Sequence, residues 1–220
     1  MEKPEILSVC RNELFSAVLA DTLDTMNFRN QVVAPGLNPL NDDMQIVGYA
    51  RTGIYMPIFH DDENVNVYEN EIQLIDDLEA DDVPVLACNG NLNISPWGEL
   101  LSTRAAYLGA AGCITDGCVR DTKVIRKMGF PVFSGGRNPT DTKYRGKMMW
   151  ADVPAKIGGV EIRSGDLVMA DADGIVFVPS GHIKEAVTLA LAKVRAESLV
   201  RQHLLDGVSL VDVFAKHGIL

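Results

Sequence analysis

No apolar run in this 220-residue chain approaches the roughly 18 residues that a membrane-spanning helix needs. The segment Met1-Glu2-Lys3-Pro4-Glu5 offers no basic stretch ahead of a signal-peptide core. The expectation is a cytoplasmic protein with no membrane partner. Basic residues are scarce, 20 Lys and Arg against 30 Asp and Glu for a net charge of −10. That balance argues against nucleic-acid binding by counterion release and against an anionic lipid surface. The four cysteines, Cys10, Cys88, Cys113 and Cys118, form no C-x-x-C pair and have no histidines at zinc-finger spacing. They read as reduced, mostly buried thiols, and Cys118 as a packed turn residue. His60, His182, His203 and His217 share no ligand spacing either. A phosphate-binding glycine loop, a dinucleotide fingerprint and a Gly-x-Ser-x-Gly elbow are all missing, which removes the usual support for nucleotide hydrolysis, hydride transfer and serine hydrolysis.

What is present suits a self-sufficient core, since a chain of this length buries roughly 70% of its unfolded surface. Apolar residues at three- and four-residue steps predict one amphipathic helix over 5–27, and Ile46-Val47-Gly48-Tyr49-Ala50-Arg51-Thr52 reads as a strand. An acidic, Asn-rich loop is expected over 61–66. A helix over 67–78, with Val67, Ile72, Leu74, Ile75 and Leu78 on its apolar face, leads to a strand over 83–88. Leu101, Ala105 and Leu108 support a helix from Gly98 to Gly109, followed by a short strand over 112–115, one or two helical turns over 122–128 and a strand over 130–133. Residues 134–147 read as a polar loop. Strands follow over 158–162, 166–170 and 174–179, and Ser180 is placed to cap a long final helix that runs toward Leu205 and stops at Gly207. Helices and strands alternate in the first half and strands dominate the second, so a layered α/β fold is expected, as one domain over 1–220.

Two stretches can carry chemistry. Gly98-Glu99-Leu100-Leu101 opens a helix, where free amides and the positive dipole end can hold a carboxylate; on local pattern alone, a plain helix start after Pro96 is the stronger reading. Asp116-Gly117-Cys118-Val119-Arg120-Asp121 closes a strand and leads into a helix, where open α/β sheets place ligands. Asp121 there is either a helix cap or a ligand for a hard cation such as Mg²⁺, and Arg120 either pairs with a nearby acid or clamps a substrate oxyanion. Twenty residues separate Glu99 from Arg120. In the 134–147 loop, Arg137, Lys143 and Arg145 are candidates for a second substrate carboxylate, or simply solvated loop charges.

Taken together, Trp97-Gly98-Glu99-Leu100-Leu101-Ser102-Thr103, Gly109, Gly112, the Asp-Gly-x-x-Arg-Asp block at 116–121, Gly129-Phe130-Pro131-Val132-Phe133, and the segments Gly158-Gly159-Val160, Ser164-Gly165-Asp166 and Asp173-Gly174-Ile175 resemble one family. It joins the class II 4-hydroxy-4-methyl-2-oxoglutarate/4-carboxy-4-hydroxy-2-oxoadipate aldolases with the regulator of ribonuclease activity A, RraA. The resemblance covers most of 15–205. It implies a layered β/β/α swivelling-domain-like fold in homotrimers or hexamers, with sites between subunits. It further implies that Asp121 binds Mg²⁺ or Mn²⁺, that Arg120 contacts substrate, and that the amides of Gly98, Glu99 and Leu100 hold a pyruvyl carboxylate. Glu197, on the last helix, matches an acid that reaches the metal's waters in a neighbouring subunit.

The implied activity is retro-aldol cleavage of a small 4-hydroxy-2-oxo acid to pyruvate, with oxaloacetate decarboxylation as a side reaction. Arg120, Glu99 and Asp121 are the implied catalytic set, Glu99 orienting the water that takes the substrate's hydroxyl proton. Dedicated aldolases carry Asp where this chain has Glu99, which bears on substrate identity. The alternative is a non-catalytic ring protein that inhibits a ribonuclease complex, a branch that often lacks the full Arg-Asp pair. A Schiff-base aldolase is the weaker enzyme alternative, because no lysine is evidently buried.

Overall fold

The computed structural model describes residues 1–60 and 63–218. Helices α1 (Lys3–Glu13) and α2 (Ser16–Thr25) replace the single helix expected over 5–27. The break at Leu14-Phe15 has a tertiary cause. The Ser16 N–H and hydroxyl both donate to the Asp171 carboxylate, at 2.7 and 2.6 Å, so a residue far along the chain starts the second helix.

A two-residue strand β1 (Asn38–Pro39) precedes the long β2 (Ile46–Pro57), then come α3 (Glu69–Asp76) and β3 (Asp82–Ala87). The expected loop over 61–66 lies outside the described residues at Asp61 and Asp62, and 63–66 is an exposed turn. On α3 the apolar face differs by one position from the reading of the sequence: Ile72 is 47% exposed, whereas the neighbouring Glu71 is buried. The chain continues through α4 (Glu99–Leu108), β4 (Cys113–Val119), α5 (Thr122–Met128) and β5 (Val132–Arg137). Gly109 ends α4 in a left-handed conformation, its N–H donating to the carbonyls of Ala105 and Ala106.

The second half holds β6 (Gly146–Ala151), β7 (Ala155–Ile157), β8 (Val160–Ile162), β9 (Leu167–Asp171) and β10 (Gly174–Val178). The expected polar loop over 134–147 is therefore shorter, since β5 runs to Arg137 and β6 starts at Gly146. Ser180 does not cap the last long helix. Its N–H donates to Asp166, and a 3-10 turn at Ser180–His182 leads into α6 (Ile183–Leu205). Beyond Gly207 a further helix, α7 (Leu210–His217), was not expected; Ser209 caps it by accepting the Asp212 N–H. It brings together two histidines that looked unrelated, with His203 Nδ1 3.0 Å from His217 Nε2.

Eight strands form one curved, nearly closed sheet in the order β1-β5-β4-β3-β2-β9-β10, with β6 joined to β2. Strand β2 is long enough to change partners. It runs parallel to β3 through Tyr49–Ile54, antiparallel to β9 through Ile46–Tyr49, and antiparallel to β6 from Gly53 to Pro57. Strands β3, β4 and β5 are parallel, joined by α4 and α5 as crossovers; β3 and β4 are almost wholly buried, and β5 is buried from Val132 to Ser134. The main core lies around these strands and takes in Leu74, Ile75, Ala105 and Ile125 from α3, α4 and α5 and the β7–β8 hairpin. A second core packs α1, α2 and α6 against β9 and β10. This is the layered α/β fold expected from the sequence. All four cysteines are buried and free. No described helix is long and apolar enough to cross a membrane.

Candidate active site

Three chain segments converge at the C-terminal end of β4, and buried polar contacts fix each of them. Asp116 turns inward and accepts the N–H groups of Cys88 and Gly90, which ties the 88–98 loop to β4. Burial raises its carboxyl above the usual range, and these donated hydrogen bonds partly offset the rise. Gly117 is required here, because a Cβ would stand 2.8 Å from Cys88 Sγ and from the Ile94 carbonyl. The Trp97 indole donates to Ser102 Oγ at 2.8 Å, and that hydroxyl donates to the Gly98 carbonyl at 2.9 Å, so the start of α4 is held from inside. The Thr142 hydroxyl, donating to the Ser95 carbonyl at 2.6 Å, docks the loop between β5 and β6 on the same point.

The result is a cavity of about 310 Å³ between α3, the start of α4, the end of β4 and the 141–142 segment. Pro96, Trp97, Ile72 and Leu101 form its apolar wall. Gly98, Glu99, Leu100, Arg120 and Asp121 all line it, so five of the residues singled out in the sequence meet in one place. Gly98 is the joint of the assembly: a Cβ would lie 2.9 Å from Asp121 Oδ2 and 3.1 Å from Arg120 Cγ. A side chain here would push the Asp121 carboxylate and the Arg120 stem away from the helix start.

Asp121 adopts a left-handed conformation (φ 58°) and does not cap α5 with its side chain. Its Oδ2 instead accepts the Glu99 N–H at 3.2 Å, across the cavity mouth. The simple capping role is thus excluded. Gly98 supplies no capping side chain to α4, which leaves the amides of Leu100 and Leu101 at the cavity. Arg120 reaches between two acids, Nη1 lying 3.1 Å from Asp141 Oδ2 and Nε 3.6 Å from Asp121 Oδ2. Asp141 also accepts the Tyr68 hydroxyl at 2.9 Å and the Lys143 N–H at 3.1 Å. Burial alone would raise Asp141, but these donors and the Arg120 charge together hold it below the usual carboxylate range. Burial and the same bond to Asp141 push Tyr68 up to about 12.

Tyr68, Glu71 and Asp141 were missed in the sequence. Tyr68 and Glu71 lie three residues apart at the start of α3, a spacing that puts both on one helix face. Asp141 stood among the loop charges of which only the basic ones had been considered. Those basic residues lie elsewhere: Arg137 is exposed at the end of β5 and outside the cavity wall, while Arg145 Nη1 donates to the carbonyls of Asp141 and Lys143. Arg120 is the one basic side chain on the wall among the described residues. Glu197 lies on α6, 3.9 Å from Lys193, and does not line this cavity within its own chain. Cys118 lies within strand β4 and not in a turn; burial raises its thiol, which donates to the Leu92 carbonyl at 3.2 Å.

Among the described residues no three His, Cys, Asp or Glu side chains gather as a closed metal cage. One carboxylate at a cavity mouth, beside Glu99, fits a hydrated Mg²⁺ or Mn²⁺ ion, which keeps most of its waters, and does not fit a fully protein-ligated metal.

The fold and site together define a layered α/β protein with an Arg-Asp pair set against an uncapped helix start. Residues 16–177 match the family model described as RraA-like, Aldolase/RraA, and the chain belongs to that family. It is 29% identical over 195 residues to protein DlpA of Legionella pneumophila, covering 89% of this chain but only 31% of DlpA. A protein from Halalkalibacterium halodurans that provisionally carries the name 4-hydroxy-4-methyl-2-oxoglutarate aldolase is 28% identical, with 89% and 87% of the two chains covered. Among solved structures, an uncharacterized protein from Pseudomonas syringae pv. tomato superposes with a TM-score of 0.83 at 27% identity, covering 96% of each chain. Streptomyces coelicolor RraAS2, described as an unusual member of the RNase ES inhibitor RraA family, gives 0.79 at 27% identity over 91% of this chain and 97% of that one.

Proposed function

We propose that this protein is a divalent-metal-dependent lyase that cleaves a small 4-hydroxy-2-oxo acid to pyruvate and also decarboxylates oxaloacetate. The observation that carries the reading is the meeting of Arg120, Asp121 and the uncapped amides of α4 on one cavity. Relatives named as aldolases support it.

In this reading the substrate's 2-oxo carboxylate binds the start of α4 at Gly98, Glu99 and Leu100, taking the free Leu100 amide and displacing Asp121 from the Glu99 N–H, where hydrogen-bond donors and the helix dipole favour an anion. The Arg120 guanidinium faces the 2-oxo oxygen, on which negative charge grows as the C3–C4 bond breaks, and stabilises the enolate. Asp141 and Tyr68 hold that guanidinium in place. Asp121, with Glu197 of a neighbouring subunit in a homotrimer or hexamer, would hold an Mg²⁺ or Mn²⁺ ion, which would supply positive charge at the 2-oxo group. Glu99 orients the proton acceptor for the C4 hydroxyl.

The test is pyruvate release from oxaloacetate and from a panel of 4-hydroxy-2-oxo acids, with Mg²⁺ and with chelator. Release that stops with chelator and in Asp121→Ala supports the reading. No release from any substrate, or release unchanged in Asp121→Ala, overturns it. The likeness to RraAS2 favours a second reading, a ring protein that inhibits a ribonuclease complex. Tight ribonuclease association by a protein without lyase activity would establish it instead.

A further inference from the structure

The cleavage reaction involves two proton transfers, and the residues assigned so far account for one. The hydroxyl proton leaves toward Glu99, but the enolate carbon must also gain a proton to become the methyl group of pyruvate. Glu71 occupies the inner wall of the cavity, only 8% exposed. Its Oε2 accepts the hydroxyl of Tyr55, itself buried on β2. Oε1 has no hydrogen-bond partner among the described residues and is not sealed away from the cavity.

We propose that Glu71 is a further catalytic residue, the acid that delivers a proton to C3 of the pyruvate enolate. The proposal rests on the lyase reading of this cavity. The Glu71 O–H bond breaks and its proton goes to C3; the enolate's carbon–carbon π pair forms the new C–H bond, and the carbonyl is restored. Glu71 is left as a carboxylate, and the proton released from the C4 hydroxyl returns to it through solvent, so protons balance over the cycle. In reverse, the same carboxylate takes a proton from the methyl group of bound pyruvate.

The surroundings suit this task. Charged and titratable groups face Glu71 from every side of the wall: Tyr55 on β2, Tyr68 ahead of α3, Cys88 after β3, Arg120 after β4 and Asp141 in the loop before β6. Burial dominates and raises the carboxyl to about 7, the Asp141 charge adding to the rise, while the Tyr55 hydrogen bond and Arg120 oppose it. Across the same cavity Asp141 is held low. Two carboxyls driven apart by their environments are the pattern of an acid–base site, the raised one exchanging protons near neutrality and the lowered one serving as a fixed charge.

The experiment follows deuterium entry into the methyl group of pyruvate in D₂O with Mg²⁺, by proton NMR, in wild type, Glu71→Gln and Tyr55→Phe. This reads transfer at C3 without any carbon–carbon cleavage. Wild type is expected to exchange with a rate that rises through about pH 7 and levels off. Glu71→Gln, which keeps an acceptor for Tyr55, is expected to slow exchange by about 100-fold and lose the pH limb. Tyr55→Phe is expected to move the limb to higher pH, because the lost hydrogen bond had favoured the carboxylate; a merely structural role for Glu71 would leave the limb in place. Exchange at the wild-type rate in folded Glu71→Gln overturns the proposal, and pyruvate release by the same protein would leave the lyase reading standing. Wild-type protein with neither exchange nor release overturns both.

Discussion

The two cores of this protein treat polar groups in opposite ways. Beneath α1, α2 and α6 the packing is almost wholly apolar, and its buried hydroxyls are satisfied at once, Ser16 by Asp171 and Thr22 by the Val18 carbonyl. At the edge of the larger core, Glu71, Asp141 and Arg120 line one cavity and Asp116 holds the 88–98 loop that shapes it, three of the four with shifted proton affinities. Burying carboxyls costs stability unless each finds donors. Buried Asp166 beside β9 is met by the N–H groups of Arg163 and Ser180, whereas Glu71 and Asp116 keep raised carboxyls, so the first face serves the fold and the second carries the candidate site.

The sharpest way to separate the faces is to damage each in turn. Arg120→Ala removes the one basic side chain of the described cavity wall, and pyruvate release is expected to fall about 1,000-fold, by analogy with the loss of an oxyanion donor. Steady-state kinetics on protein checked for an unchanged melting curve measures it. Leu19→Ala, at a fully buried site of the other core, is expected to do the reverse. It should lower unfolding free energy by about 3 kcal/mol in urea denaturation while leaving the proposed pyruvate release by the folded protein within about twofold. Comparable losses of rate from both variants would break the distinction.

Glu71 tests whether the chemical face truly sacrifices stability. Its carboxyl is raised from 4.5 to about 7 by burial. Below pH 4.5 the folded and unfolded chains both hold the proton and nothing is lost. Above pH 7 the folded chain must bury a charge that the unfolded chain keeps in water, so this group makes stability fall as pH rises from about 4.5 to 7. Glu71→Gln is therefore expected to be more stable than wild type at pH 8, by up to about 3 kcal/mol, with the advantage vanishing near pH 4. Equal denaturation midpoints for the two proteins at pH 8 would show that the cavity does not strain this acid.

How far the sequence revealed each face follows from the same physics. Helices α4 and α5 were legible because local patterns define them, with Gly109 stopping the first, whereas β4 was expected only over 112–115 because Thr115-Asp116-Gly117 interrupt its apolar pattern before Val119. The Arg120-Asp121 pair stood out through the family resemblance, since on local pattern alone it read equally as a helix cap and an ordinary ion pair. The break at Leu14-Phe15 was not legible, since Asp171 imposes it from a distant strand. Strand β6 was hidden because it pairs with the far end of β2, where Met56 and Pro57 gave no sign of a strand. Tyr68, Glu71 and Asp141 escaped for a related reason. A buried acid on a helix whose neighbour Ile72 is exposed reads as the polar side of an amphipathic pattern, and only the cavity beside it reveals the inversion.

The smallest expected effect sharpens the comparison by showing what a charge does when burial is removed. Arg104 on α4 pairs with Asp76 on α3, Nε to Oδ1 at 2.7 Å, close in sequence to the cavity residues Glu71 and Glu99 and on the same two helices. Both side chains are about half exposed, at 43% and 53%. Water solvates each ion nearly as well as its partner does, and ordering two long side chains takes back much of the remaining attraction. Arg104→Ala is accordingly expected to change unfolding free energy by no more than about 0.5 kcal/mol. The exchange and cleavage rates should stay within about twofold, and whatever stability effect exists should fade in 1 M salt. A larger loss would mean that α3 and α4 are clamped by this bridge and that the cavity's width depends on it. A null result leaves the width to the apolar contacts of Leu74, Ile75 and Ala105, the same force that builds the face without chemistry.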